Sequence, residues 1–225
     1  MLTLPAAAAA PPGPGGLDDA GLAAAVRTIQ NVCFASYPPD LLKSMTGLAG
    51  PPPPEVMADP RRQIALLKTE AVVAKGLFYP SLLDDLIPAL RATLRPGARL
   101  LDLGSGDGRV VFLASLLGAR ATGIEYDRAL HRVAIAARDR LDSLVDSDHA
   151  ILRRGDFFRA DYADYDVLYY YKSGAYAETR LGLKIAAELR PDAVLLVLAG
   201  EPEHFPDLEP IATYGPVRVF RRRAP

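Results

Sequence analysis

Arg99-Leu-Leu-Asp-Leu-Gly-Ser-Gly-Asp-Gly-Arg-Val-Val-Phe-Leu-Ala114 decides how this chain folds. Leu100 to Leu103 form a short apolar run suited to a buried strand, and the run stops at Gly104. Three glycines alternate with small polar residues, after which Val110, Val111, Leu113, Leu116 and Leu117 take up helical spacing. Strand, glycine turn and helix in that order open a doubly wound sheet, in which ligands sit beyond the carboxyl ends of the strands. Gly104, Gly106 and Gly108 would let the backbone approach a ligand in conformations that a side chain obstructs. The following helix presents free N–H groups to the same crevice.

A dinucleotide fingerprint needs its third glycine where this chain has Arg109, so a pyrophosphate clamp fits poorly. The second strand is expected at Ala121–Glu125, and Glu125 stands at its carboxyl end, 21 positions after Gly104. Doubly wound folds place an acidic residue about 20 positions on, bonded to a ribose. Each of two ribose hydroxyls can donate to such a carboxylate, worth about 1.5–3 kcal/mol apiece. The alternative is a solvated strand-end glutamate.

The totals narrow the class. The 225 residues carry 26 Lys and Arg against 27 Asp and Glu, a net charge of -1, and half are hydrophobic, enough for a real core. That length suits one or two domains. The chain shows no run of the ~18 apolar residues that a membrane helix needs, and Met1 to Gly16 lack the basic n-region of a signal peptide. One cysteine, Cys33, excludes an internal disulfide, and three scattered histidines lack zinc-ligand spacing. A cytoplasmic protein is expected, with no case for a nucleic-acid partner and a locally basic C-terminus at Arg218 and Arg221 to Arg223. Oligomeric state is not legible.

Residues 1–16, almost wholly Ala, Pro and Gly after the first few positions, are expected to be a disordered leader. Residues 17–61 read as a helical arm, in which Leu22, Val26, Ile29 and Val32 mark a helix capped by Asp18 or Asp19 and ended at Pro38-Pro39. Pro51 to Pro54 read as a stiff extended linker. Residues 62–225 then form the main domain. Ile64, Leu67, Ala71 and Val72 suggest a helix ending near Gly76, and Leu83 to Leu94 a second one, with Phe78-Tyr-Pro-Ser81 between them. A helix with a stripe from Leu130 to Leu144, a strand at Ala150–Leu152, a strand at Asp166–Tyr171, a helix at 175–189 and a strand at Ala193–Leu198 follow. Residues 210–220 read as an antiparallel pair around a tight turn. The expected architecture is a mostly parallel, seven-strand doubly wound α/β sheet with an antiparallel C-terminal pair.

Leu101-Asp-Leu-Gly-Ser-Gly-Asp-Gly108 resembles the first motif of class I S-adenosylmethionine-dependent methyltransferases. Within that superfamily, Tyr79-Pro80, Asp102 to Arg109 and Gly155-Asp-Phe157 are similar to runs in lysine methyltransferases outside the SET class, of the ATP synthase c-subunit methyltransferase type. The resemblance implies S-adenosyl-L-methionine as cofactor, held by Asp102, Gly104, Ser105, Gly106, Gly108, Glu125, Tyr126, Asp156, Phe157 and Tyr79. It places Asp156 on the adenine amino group, with Phe157 or Phe158 against the ring. Tyr79 and Tyr171 become candidate catalytic residues, and a methyl acceptor, a protein lysine among the choices, becomes the partner. The tyrosines of Tyr169-Tyr-Tyr171 could wall a lysine channel or simply pack in their strand. Enzymes acting on bases or glutamine amides carry an Asn/Asp-Pro-Pro-aromatic run where this chain has Tyr171-Lys-Ser-Gly174, which counts against those acceptors. A small-molecule methyltransferase, a silent cofactor-binding protein and an NAD-dependent reductase are the other readings.

Overall fold

The computed structural model describes residues 17–48, 50–67, 72–73, 76–172, 178–200 and 205–223. Seven strands form one sheet: β1 (Arg99–Leu103), β2 (Arg120–Glu125), β3 (Ala150–Arg154), β4 (Val167–Tyr171), β5 (Val194–Leu198), β6 (Leu208–Tyr214) and β7 (Val217–Arg222). Their spatial order is β3-β2-β1-β4-β5-β7-β6. The first five run parallel, β7 is antiparallel to both β5 and β6, and Asp102 registers with Gly123 on one side and Tyr169 on the other. The chain leaves β1 toward β2 and β3, then returns to β4 on the opposite flank. The crevice at that reversal is where doubly wound sheets bind ligands. The expected fold is the observed one.

Helices cover both faces, so the central strands are apolar throughout rather than alternating. Leu22, Val26, Ile29 and Cys33 of α1 (Asp19–Ala35) pack with Leu86 and Leu90 and with Phe112 and Leu113 over Leu100, Val167 and Tyr169. The middle two pairs belong to α5 (Leu83–Thr93) and α6 (Arg109–Leu116). Leu181 and Ile185 of α8 (Glu178–Glu188) cover Leu101, Leu168 and Leu195 on the other face. The helical arm is thus built into the core beside the sheet.

Three prolines open helices, where a missing N–H costs nothing and a fixed φ helps. Pro39 begins α2 (Pro39–Thr46), Pro54 begins the one-turn α3 (Pro54–Met57) and Pro60 begins α4 (Pro60–Leu66). The last residue of the expected extended linker therefore starts a helix. The helix α1 ends at Ala35, before Pro38, and its N-cap is Asp18, which accepts from Gly21 N at 2.7 Å.

The helix expected over Ile64 to Val72 is a correction. Here α4 stops at Leu66, and Val72–Val73 pairs antiparallel with Gly76–Leu77. Two β-branched residues in succession favour the extended backbone over the helix, and Ala71 lies outside the described residues. The helix α7 (Arg128–Arg140) also ends before Leu144, although Leu141 and Val145 remain buried in the turns that follow it. The start of the helix expected at 175 and the leader 1–16 lie outside the described residues. Among those described, no helix is long and apolar enough to cross a membrane.

Candidate functional site

The glycine turn is stapled to β2, because Gly104 N and Ser105 N both donate to the Ile124 carbonyl, at 3.0 and 3.1 Å. Gly123 makes room for this, since a Cβ there would stand 2.6 Å from Ser105 Cβ. The three glycines of the turn differ in what surrounds the side-chain direction. All have positive φ (+88°, +53° and +82°), a region that disfavours side chains. Only Gly104 opens onto free space, with nothing within 4 Å of a built Cβ. Gly106 is covered by the Phe78 ring and Gly108 by Phe112 and Ala134.

Three carboxylates surround this turn in near-complete burial: Asp102 at 2% exposure, Asp107 at 1% and Glu125 at 6%. Asp107 is neutralised by Arg109, which opens α6. Its Nε lies 2.9 and 3.1 Å from the two carboxylate oxygens and Nη2 lies 2.5 Å from one of them. Burial works against the Arg109 charge, but Asp107 more than restores it and keeps the guanidinium protonated. Tyr37, just beyond the end of α1, donates its hydroxyl to Asp107 at 2.9 Å, and Cys33 donates its thiol to the Asp107 carbonyl at 3.7 Å. Arg109 Nη1 also reaches the Ser81 carbonyl at 3.3 Å, and Ser81 Oγ lies 2.7 Å from the Tyr169 hydroxyl. One buried chain of polar contacts therefore runs from the arm through the glycine turn to β4.

Asp102 and Glu125 have no such cation among the described residues. Glu125 accepts from Gly106 N at 2.8 Å and from Asp127 N at 2.6 Å. Burial raises its proton affinity, and those two bonds pull it part of the way back. Asp102 is pushed well above the usual carboxylate range by burial, then by Glu125 and Asp107. The floor of the crevice is consequently short of positive charge.

At the end of β4, the half-buried rings of Tyr79 and Tyr171 face each other with centroids 5.8 Å apart and planes at 54°. Burial, then Tyr79 and Asp85, raise the Tyr171 pKa, so its phenol stays protonated at neutral pH. Tyr169 lies beneath, bonded to Ser81, while Tyr170 points to the opposite face and meets Phe205 edge-on. The three tyrosines therefore split between wall and core. Ser173 and Gly174 lie outside the described residues, as does the side chain of Glu178.

A cavity of about 510 Å³ opens where β2 and β3 end, lined by Ile124, Tyr126, Gly155 and Asp156 among others. Tyr126 is 46% exposed. Asp156 accepts from Phe158 N at 3.0 Å, and Phe157 packs with Phe158 against the core behind it, with Ile124 forming the apolar wall. Among the described residues no group of three or more His, Cys, Asp or Glu side chains could hold a metal ion.

Sequence reasoning missed Phe78, Tyr37, Asp107 and Arg109 as parts of this site. Arg109 carried a signal, being a charge inside an otherwise apolar helical run. Tyr37 carried none, because its partner stands 70 positions away.

Residues 102–199 match the family described as the ANTKMT methyltransferase domain, a span that starts on Asp102 near the end of β1 and includes β2 to β5. The fold is the class I, Rossmann-like methyltransferase fold, and over that span the chain is similar to the ANTKMT methyltransferase domain. An RNA methyltransferase from Salinibacter ruber, crystallised with S-adenosyl-L-homocysteine, is 26% identical, with 64% of this chain and 92% of that chain covered at a TM-score of 0.51. A variant of MtNAS crystallised with S-adenosylmethionine is 16% identical over 92% of this chain and 93% of that one, with a TM-score of 0.52. Against MtNAS in complex with MTA and tNA the identity is 15% and the TM-score 0.50, and the alignment covers 64% of this chain and 59% of that chain's length. No curated protein is a match.

Proposed function

We propose that this chain is an S-adenosylmethionine-dependent methyltransferase that N-methylates a lysine side chain of a protein. The observation that carries the lysine reading is the Tyr79–Tyr171 pair at the end of β4, beside the open face of Gly104. Two tilted aromatic rings in contact form one wall along which an alkylammonium stem can lie, by apolar contact and cation–π attraction.

The residues present fit the cofactor. The space over Gly104 admits a chain where a Cβ would intrude. Asp102 and Glu125, buried without a cation, favour a positively charged ligand. Each Glu125 oxygen already accepts one backbone N–H, and a carboxylate oxygen has a second lone pair to offer a ribose hydroxyl. Asp156 offers an acceptor to an adenine amino group in the cavity beyond, with Ile124 and Tyr126 beside it. When bound, S-adenosylmethionine supplies a methyl group on a sulfonium whose leaving group is a neutral thioether.

The protein's part is then positioning, which can contribute about 7–11 kcal/mol to such a transfer. Tyr79 and Tyr171 orient the acceptor nitrogen and exclude water from it. That exclusion lowers the pKa of the incoming ammonium, so the amine arrives neutral and its lone pair is free. Because the Tyr171 phenol is held protonated, it serves as a hydrogen-bonding wall rather than as a base.

Incubating the protein with methyl-labelled cofactor and a cell lysate tests this reading. The expected result is label in a protein band that hydrolyses to methyllysine, reduced at least tenfold by Tyr171→Ala. Label confined to small molecules, or to another amino acid, overturns it.

A further inference from the structure

The rim of the nucleoside cavity carries charge that a nucleoside does not use. Arg153 and Arg154 end β3, Arg159 follows, and all three are exposed cavity-lining residues with no acidic partner within 4.0 Å among the described residues. Arg180, near the start of α8, lays its guanidinium over the Phe158 ring, 4.5 Å from the centroid. The one carboxylate lining the cavity is Asp156. In a chain of net charge -1, this corner is strongly positive. Its field reaches α7, where burial, then Arg154 and Arg138, lower the pKa of His131. Adenosine is uncharged, and S-adenosylmethionine as a whole is a cation, so a ring of arginines does nothing for its electrostatic attraction.

We infer that this arginine rim is the docking surface for an acidic stretch of the methyl-accepting protein, a proposal that rests on the protein-methyltransferase reading above. Arginine pairs with carboxylates through two parallel N–H···O bonds. The strand β3 lies at the edge of the sheet, three strands from β4, so an extended peptide can enter at the arginines and cross the carboxyl ends of the strands to reach β4. A polynucleotide would meet the same charges but needs open aromatic faces for its bases. Here Arg180 covers Phe158, Phe157 and Phe158 pack on each other with centroids 4.7 Å apart, and Tyr126 is the one exposed ring at the cavity among the described residues, a single platform rather than a row of them. An acidic peptide is the better fit.

Geometry sets the spacing. Three inter-strand steps separate β3 from β4, about 14 Å at roughly 4.8 Å each. An extended chain covers that in about four residues. The acidic residues therefore sit about four positions from the lysine that reaches Tyr79 and Tyr171.

The test uses the full chain and a fluorescein-labelled ten-residue Glu-rich peptide, with fluorescence anisotropy as readout. The wild-type protein is expected to bind the peptide in low salt and to lose it as salt rises, and Arg153→Glu/Arg159→Glu to weaken it at least tenfold. Calorimetry with S-adenosylmethionine should show the double variant within threefold of wild type, which also confirms that it is folded. Labelling of lysate protein by the double variant should fall at least tenfold. Peptide binding unchanged by the substitutions overturns the proposal. So does a tenfold loss of cofactor affinity, which would give the arginines to the nucleoside, and so does label that moves to RNA or vanishes on ribonuclease treatment. Peptide binding lost in the variant while wild type labels no protein would sink the lysine reading and leave only an anion site.

Discussion

Phe78 lies so close over Gly106 that a Cβ built on the glycine would stand 2.3 Å from the ring's Cε2. The aromatic turn and the glycine turn are therefore packed as one body, and the space a side chain at 106 would need is filled by the Phe78 ring. Gly106→Ala would cost about 1–2 kcal/mol for the left-handed backbone and about 1–3 kcal/mol for overpacking. In urea denaturation, adding Phe78→Ala should return the second part through a positive coupling. Gly104→Ala should carry the backbone cost alone yet weaken S-adenosylmethionine at least tenfold by calorimetry. Equal effects on binding at both positions would contradict this division.

The Asp107–Arg109 pair is buried and is held by Tyr37 from the arm. Arg109→Met leaves a buried carboxylate without its cation, and such losses cost about 3–5 kcal/mol. Tyr37→Phe removes one hydrogen bond to a charged group, worth about 1.5–3 kcal/mol. Replacing both partners, Asp107→Leu with Arg109→Met, should recover most of the single-variant loss in chemical denaturation, because no charge is then left unpaired.

Glu125 holds the turn, and the ribose role is proposed for it. Glu125→Ala is expected to weaken cofactor binding at least tenfold, about 1.4 kcal/mol, while circular dichroism shows the fold intact. Glu125→Gln keeps one acceptor oxygen and should fall between the two. Titration calorimetry on the three proteins decides it, and unchanged affinity in the alanine variant removes the ribose role.

The raised pKa of Asp102 gives a pH dependence whose sign is fixed. Folding lifts its proton affinity, so its contribution to stability is fully present below the ordinary carboxylate pKa and is lost as pH rises through the raised value. A cationic ligand favours the ionised form, so cofactor binding expels the proton. Affinity should rise with pH from the ordinary carboxylate range up to the raised pKa and then level off. Calorimetry in two buffers of different ionisation heat would show proton release on the rising part. Asp102→Asn should abolish that release.

Much of the fold was legible because it is written in short runs. The apolar stretches ending at Leu103, Glu125 and Tyr171 each became a strand, and the glycine turn between Leu103 and Arg109 was read from adjacent residues. The helix expected through Val72 failed because apolar spacing alone does not weigh two β-branched residues against it. In the site, counting from the turn puts Glu125 at the end of β2, where the structure has it, while Asp156 was expected only from the family resemblance. The roles of Phe78 and Tyr37 could not be read in either way, since each acts on a residue far along the chain.

The sequence by itself determined where the sheet strands and the glycine turn lie, because periodicity and backbone preference are properties of neighbouring residues. It also determined the parallel order, since a glycine turn followed by a helix commits the chain to a right-handed crossover. Only the tertiary structure decided which glycine faces the ligand, which tyrosine faces the crevice and which carboxylate keeps a cation. Those outcomes depend on burial and on contacts between distant segments, such as Tyr37 on Asp107 across 70 positions. Desolvation, which sets the charge balance of the crevice, exists only once those segments have closed over it.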